Sequence, residues 1–250
     1  NGSTAVGGDI HVQSGGKFNT TGSGGTVGAN VILEGGVLDI DVNSEISGTL
    51  THTASSTIDV AAGTVLTYSN PAAVSIGSLP LDLVRPGSLD ISGGGVFTLS
   101  SGTVTATKLK IQSSSEHHFD GGVLHVESVT GSVSNDAATW APGTSAGITT
   151  FSADYTHGSN ATLEIELYGD GGGSPVPGTD FDQLVVTGKV SLAGTLDIQE
   201  GGGFTASFGD QWTIITAGSV TGQFDTVTGP SDGGRSWDVT YTSNSVVLTS

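Results

Sequence analysis

The chain has 250 residues, 41 of them glycine, with no cysteine and a formal net charge of −18. The absence of cysteine excludes disulfide bonds, thiolate metal sites and cysteine nucleophiles. A strongly negative surface repels nucleic acid and anionic lipid, and no apolar run approaches the roughly 20 residues of a membrane span. We therefore expect an acidic protein that neither binds nucleic acid nor inserts into a membrane, with a surface that suits cations such as calcium.

Short strand-like runs recur along the chain. In each run a small residue is followed by an apolar, a polar and an apolar residue, with Gly, Ser, Asn or Pro at the boundaries, as expected for strands between turns. The apolar positions are predicted to point into a core and the intervening Asp, Thr or His to point outwards. The motif occurs at residues 36–40, 48–51, 56–60, 87–91, 95–99, 122–126 and 194–198.

The spacing of this motif favours a solenoid. Leu38 and Ile58 are 20 positions apart, about one coil of a β-helix, although other spacings are 8, 27 and 31. Hairpin dipeptides such as Asn-Gly, which an antiparallel sandwich needs at close intervals, are sparse. The sequence therefore predicts an all-β protein whose residues 1–140 form the coils of a right-handed parallel β-helix. An antiparallel sandwich is the alternative.

The pattern of the sequence changes near Trp140. Longer strands are predicted after this position, and all three Trp residues lie at or beyond it. The open end of a solenoid needs a cap to stay soluble, and bulky side chains can form one. Residues 141–250 are therefore predicted to form a C-terminal β-rich region that continues or caps the solenoid. The longer strands are predicted at 161–167, 183–187, 211–216, 237–241 and 246–249.

Several motifs follow one another in the C-terminal half. They read APGTSAG at 141–147, ATLEIEL at 161–167, TDFDQLVVTG at 179–188, LAGTLDI at 192–198, GDQWTIITAG at 209–218 and GQFD at 222–225. In this order, residues 130–250 resemble the passenger repeats of autotransporters and related β-helical surface proteins of Gram-negative and allied bacteria. The chain departs from a full autotransporter in having no outer-membrane barrel after Ser250, which leaves the mode of surface attachment open.

The resemblance implies an extracellular, secreted module of the bacterial cell surface that is adhesive or structural. It also implies partners among cell-surface or matrix components, glycans included, and leaves self-association open. We therefore expect an adhesin-like module without catalytic activity. The alternative is a β-helix that binds polysaccharides or acts on them as a lyase or hydrolase.

The shortage of basic residues argues against the enzymatic alternative. A lyase needs a basic residue that abstracts a proton, and the chain has only six Lys and Arg residues. Lys108 and Lys110 share a strand face, but a solvated edge is the favoured interpretation. A hydrolase needs two carboxylates about 5 to 10 Å apart in a cleft, a distance that stacked Asp residues meet by accident. We therefore predict no enzyme activity.

Acidic residues of one loop are the candidate metal ligands. Asp170, Asp180 and Asp182 bracket a loop rich in Gly and Pro, and carboxylates together with loop carbonyls suit calcium. Solvated turn acids are the favoured interpretation, and the calcium site is the alternative. His117 and His118 are a weaker candidate, because adjacent strand residues point to opposite faces and an exposed polar turn is favoured. No other cofactor is predicted.

A second acidic feature is the outward position of the repeated motif, which carries Asp39, Asp59, Asp90 and Asp197. In a parallel β-helix, stacked neighbours lie about 4.8 Å apart, so these carboxylates repel one another. Divalent cations that bind only the folded state relieve this repulsion and stabilise that state. The sequence therefore predicts that calcium stabilises the fold more than sodium does.

Overall fold

The computed structural model describes residues 8–22, 25–54, 56–60, 65–68, 74–76, 81–83, 88–91, 96–99, 103–144, 146–231 and 234–250. These residues form an all-β structure with almost no helix, which confirms the predicted fold class at that level. Within the same ranges, no helix has the length and apolar character needed to cross a membrane. The chain consists of two compact units, Asn1–Val123 and Leu124–Ser250. The predicted boundary near Trp140 therefore lies inside the second unit.

The strands of the first unit pair in parallel in three series. The first series consists of β1 (Ile10–Gln13), β4 (Val31–Glu34), β7 (Leu50–Ala54), β10 (Val74–Ile76), β13 (Val96–Leu99) and β15 (Glu116–Phe119). The second consists of β2 (Lys17–Thr20), β5 (Val37–Ile40), β8 (Ser56–Val60), β11 (Leu81–Leu83) and the start of β14 (Thr103–Ile111). The third consists of β3 (Gly25–Val27), β6 (Ser44–Ile46), β9 (Val65–Tyr68), β12 (Ser88–Ile91) and the end of β14.

Each early strand thus pairs with the strand three places further along the chain. Lys17 is in register with Val37, and Val37 with Thr57, a step of 20 residues each time. This step equals the spacing between Leu38 and Ile58 in the sequence, and these two residues are in register with each other. The predicted 20-residue repeat is therefore the distance between hydrogen-bonded neighbours.

The inward positions of the repeat form the core. Leu38 and Ile58 are 1% and 2% exposed, and burying an aliphatic side chain of this size contributes about 1.5–3 kcal/mol. Small residues allow the turns to lie close to this stack. A Cβ atom at Gly48 would lie only 2.0 Å from the carbonyl oxygen of Ala29, so the turn after β6 requires glycine.

The second unit continues with parallel pairing and ends with antiparallel pairing. Its strands are β16 (Val123–Thr130), β17 (Val133–Asn135), β18 (Thr139–Trp140), β19 (Ile148–Phe151), β20 (Tyr155–His157), β21 (Thr162–Leu167), β22 (Gln183–Leu192), β23 (Thr195–Glu200), β24 (Gln211–Gly222), β25 (Thr226–Thr228), β26 (Asp238–Tyr241) and β27 (Ser245–Thr249). Parallel pairs connect β19 to β22, β22 to β24, β21 to β23 and β23 to β25. In contrast, β27 runs antiparallel to both β24 and β26.

Aromatic side chains fill the core of the second unit. The ring of Trp140 lies 5.0 Å from that of Phe151 and 5.6 Å from that of Tyr155, and all three residues are fully buried. Further along the chain, Trp212 packs against Trp237 at 6.2 Å. Among the residues whose side chains the structure describes, the second unit therefore has the larger aromatic contribution to its core.

Candidate functional site

The three predicted metal ligands lie in and beside the loop between β21 and β22. Asp182 is buried, with 1% of its surface exposed. Its Oδ1 accepts a hydrogen bond from the N–H of Gly147 at 2.6 Å, and its Oδ2 accepts one from the N–H of Glu166 at 2.9 Å. The main-chain N–H of Asp182 also donates to the carbonyl oxygen of Glu166. Asp182 therefore ties the turn that precedes β19 to strand β21.

Asp170 and Asp180 bind backbone groups of their own loop. The Oδ1 atom of Asp170 accepts from the N–H of Gly172 at 3.0 Å, and the Oδ2 atom of Asp180 accepts from the N–H of Val176 at 2.8 Å. In the part of the chain that the structure describes, no group of three or more His, Asp or Glu residues is placed to hold a metal ion. The observed partners of all three carboxylates are amide groups, and the calcium site stays a prediction.

Burial and neighbouring carboxylates act on the acidic groups around this loop. Desolvation is the largest effect on Asp182 and raises its pKa to about 7, against the two N–H groups that stabilise the ionised form. Glu164 and Glu166, on β21, raise the pKa of Asp182 further. Partial burial also raises the pKa of Glu164, helped by the charges of Glu166 and Asp197. The outer face of β21 and β23 is therefore an electronegative surface.

The predicted stacking of the outward Asp residues holds for one pair and is wrong for the others. Asp39 is in register with Asp59, but Asp90 is in register with Thr67 and Lys110, and Asp197 lies between Glu164 and Thr228. Asp90 therefore has a polar and a basic neighbour, whereas Asp197 still lies beside a carboxylate.

Asp39 also departs from the predicted outward, solvated position. Its exposed fraction is 0%. The ammonium group of Lys17 lies 2.6 Å from its Oδ2, and the amide nitrogen of Asn19 donates to the same oxygen at 2.7 Å. Neighbouring polar side chains therefore cover this carboxylate, which alternation along a single strand did not reveal.

One lysine of the basic pair considered for a lyase is bound to a carboxylate. Lys110 places its ammonium group 2.7 Å from the carboxylate of Asp90, whereas Lys108 is exposed. Both residues lie on the polar face of β14, as predicted, because Leu109 between them and Ile111 after them are buried. Lys110 is therefore part of a cross-strand ion pair.

The two adjacent histidines lie on a strand and not in the predicted turn. Glu116–Phe119 form β15, in which His118 is exposed and His117 packs against Phe119, with 5.2 Å between the ring centres. The two imidazole rings therefore face opposite sides of the strand, as expected. His118 lies 4.0 Å from Glu116, which is a surface contact between their side chains.

A buried polar group was missed by the sequence analysis. His157 is 1% exposed, and its Nδ1 lies 2.9 Å from the hydroxyl oxygen of Tyr155. Asn135, which is in register with His157, donates to the carbonyl oxygen of Ala138 and accepts from its N–H. Desolvation lowers the pKa of His157 to about 4, so the imidazole is neutral in the folded protein at neutral pH.

No model of a known protein family matches this sequence, and no curated protein matches it at a significant level. The functional argument therefore rests on the residues and their geometry.

Proposed function

We propose that this chain is a non-catalytic structural or adhesive module of a bacterial cell surface, built as a right-handed parallel β-helix with a C-terminal cap. The observation that carries this proposal is the parallel pairing of strands about 20 residues apart in the first unit, as at Lys17 with Val37 and Val37 with Thr57. A coil of three strands that hydrogen-bonds to the next coil produces this pattern. Such a coil buries one narrow column of side chains, in keeping with a hydrophobic content of only 35%.

The antiparallel C-terminal strands support the capping role. A parallel stack ends in strands whose N–H and C=O groups lack partners, and such edges promote aggregation. Strand β27 covers part of β24, with Trp212 in register with Leu248, both fully buried. A short antiparallel pair at the end of a stack is therefore suited to protect it.

The engagement of charged groups in the fold supports a role without catalysis. Lys110 is bound to Asp90, and both oxygens of Asp182 accept backbone N–H groups. Groups in these states are bound within the fold, and the two oxygens of Asp182 hold a turn and a strand together. A secreted module of this kind acts through its surface, and its partners are surface or matrix components, glycans included.

The polysaccharide-binding alternative is favoured by one observation. Phe208 is 96% exposed on a loop of the second unit, and an aromatic ring in water is a candidate contact for a ligand. This alternative is compatible with an adhesive module, because an adhesive surface needs a binding site.

The experiment has an activity arm and an adhesion arm. Purified protein is incubated with pectin, alginate and neutral polysaccharides, and the release of unsaturated or reducing ends is measured. We expect no release. Release that disappears in the double variant Lys108→Ala, Lys110→Ala contradicts the non-catalytic assignment.

In the adhesion arm, beads coated with the protein flow over matrix-coated and glycan-coated surfaces. We expect more retention than for albumin-coated beads on at least one surface. Equal retention on every surface contradicts the adhesive role.

A further inference from the structure

Two glycine-rich loops of the second unit line a small pocket. One loop, residues 168–182, connects β21 to β22, and the other, residues 201–210, connects β23 to β24. The pocket has a volume of about 170 Å³, below the roughly 300–1,000 Å³ of sites that hold drug-sized molecules. A ligand that fills it is therefore about one ring in size. The pocket is lined by Asp170, Gly173, Pro175, Gly209, Asp210 and Gln211.

The walls of the pocket are held in place by hydrogen bonds to the core of the unit. The indole N–H of the buried Trp212 donates to the carbonyl oxygen of Gly169 at 2.9 Å, which fixes the first loop. The N–H of Gly209 donates to the carbonyl oxygen of Ser250 at 2.7 Å, which fixes the second. A pocket that is already formed requires little ordering when a ligand binds.

The polar lining of the pocket offers acceptors. One oxygen of Asp170 accepts from the N–H of Gly172, and one oxygen of Asp210 accepts from the N–H of Ser207. Among the described residues, no donor contacts the second oxygen of either carboxylate or the amide oxygen of Gln211. An ionised carboxylate accepts hydrogen bonds and donates none. A complementary ligand therefore carries hydrogen-bond donors, and two carboxylates on a chain of net charge −18 favour a cation.

Two exposed apolar residues directly adjoin the pocket lining in the sequence. Among the described residues, the exposed large hydrophobic side chains are Val176 at 53%, Phe208 at 96% and Val227 at 36%. Val176 directly follows Pro175, and Phe208 directly precedes Gly209, so two of these three side chains adjoin residues that line the pocket. A complementary ligand therefore also presents an apolar face.

We propose that this pocket binds one amino-sugar ring of a glycan. The ammonium and hydroxyl groups of the sugar donate to Asp170, Asp210 and Gln211, and its C–H face packs against Phe208. A metal ion makes no use of an apolar side chain, a simple alkylamine presents no flat C–H face to an aromatic ring, and a uronic acid is repelled. The proposal rests on the adhesive role only for the source of the glycan, because the fit depends on the pocket alone.

The test is titration of the ¹⁵N-labelled protein with three methyl glycosides, those of glucosamine, glucose and galacturonic acid. We expect the amide signals of Gly173, Gly209 and Asp210 to shift, with affinity in the millimolar range that suits a single ring. The amino sugar binds most tightly and the uronic acid least, and added sodium chloride reduces the difference. Phe208→Ala weakens binding roughly three- to tenfold, the loss of one aromatic contact. The matched control Val227→Ala, which removes an exposed apolar side chain from β25, leaves binding unchanged.

Three results would overturn the proposal. They are the absence of shifts at tens of millimolar glycoside, equal affinity for all three sugars, and equal affinity of the Phe208→Ala variant. A calcium chloride titration that shifts the same amides while the amino sugar shifts none identifies a cation site instead. Both variants change exposed side chains, and thermal unfolding checks that they are folded. Failure here leaves the retention of coated beads on matrix surfaces unaffected, so it is distinguishable from failure of the proposed surface role.

Discussion

The two units each bury an aspartate, and they stabilise it in different ways. In the first unit, Asp39 binds the ammonium group of Lys17 at 2.6 Å and the amide of Asn19 at 2.7 Å. In the second unit, Asp182 accepts N–H groups from Gly147 and Glu166. The first carboxylate connects neighbouring strands through side chains, whereas the second connects a turn to a strand through the backbone.

This difference predicts how much stability each unit loses when its buried carboxylate is removed. Lys17 is 53% exposed, so loss of Asp39 returns a solvated ammonium group to water at little cost. The partners of Asp182 are backbone groups that cannot turn away to solvent without moving the chain. Burial of an unpaired N–H group costs far more than exposure of a lysine.

The largest effect is expected from Asp182→Ala. It leaves two partly buried N–H groups without acceptors and lowers the free energy of unfolding by about 2–4 kcal/mol. Asp39→Ala breaks a pair whose lysine is half exposed, and the expected loss is about 1 kcal/mol. Urea unfolding at pH 7.5 measures both. Equal losses would show that the ion pair of Asp39 and the backbone hydrogen bonds of Asp182 contribute equally to stability.

The next effect is a pH dependence in which two buried groups act in opposite directions. Asp182 has a folded pKa of about 7, above its ordinary 3.8. The folded state therefore binds this proton more tightly, and the contribution of Asp182 to stability falls as the pH rises from about 4 to about 7. His157 has a folded pKa of about 4, below its ordinary 6.5, so its contribution falls as the pH falls from about 6.5 to about 4.

Single variants separate these two contributions. Relative to the parent chain, Asp182→Asn loses stability as the pH is lowered from 7 to 4, because only the histidine effect remains. His157→Gln gains relative stability over the same range. Urea midpoints at intervals of one pH unit provide the measurement. Curves that stay parallel to that of the parent chain would contradict the assignment of either group.

A smaller effect is expected from the ion pair on β14. Lys110→Ala removes the partner of Asp90 and lowers the free energy of unfolding by about 0.5–1 kcal/mol, because the lysine side chain is 38% exposed. Lys108→Ala, on the same face of the same strand, is the matched control and has no measurable effect. Thermal unfolding at low ionic strength compares them. An equal loss in both variants would indicate general charge repulsion in place of a specific pair.

The smallest effect is expected from calcium. Millimolar calcium raises the melting temperature by about 2 °C more than sodium at matched ionic strength, the shift expected from weak binding to the folded state. If the double variant Asp170→Asn, Asp180→Asn melts at the same temperature in calcium and in sodium, the calcium site lies in the loop after β21. This variant keeps Asp182 and its backbone hydrogen bonds. Equal melting temperatures in the two salts contradict a specific site.

Local pattern was sufficient to predict the inward residues. Leu38, Ile40, Leu196 and Ile198 were assigned to the core from alternation, and each is at most 1% exposed. Alternation works because successive side chains of a strand point to opposite faces whatever the strand pairs with. Strand lengths were predicted less well, since β24 continues from Gln211 to Gly222 and not only to residue 216.

By itself, the sequence determined the strand content, the core-facing positions and a 20-residue repeat, because these depend on neighbours along the chain. Tertiary structure alone decided how the charged groups are used. Asp182 meets Gly147 across 35 residues and Glu166 across 16, and Asp39 meets Lys17 only because β2 and β5 pair in one register. The partner of a carboxylate depends on which distant backbone or side-chain group the register and the loops bring within about 3 Å, and alternation along one strand contains no information on that distance.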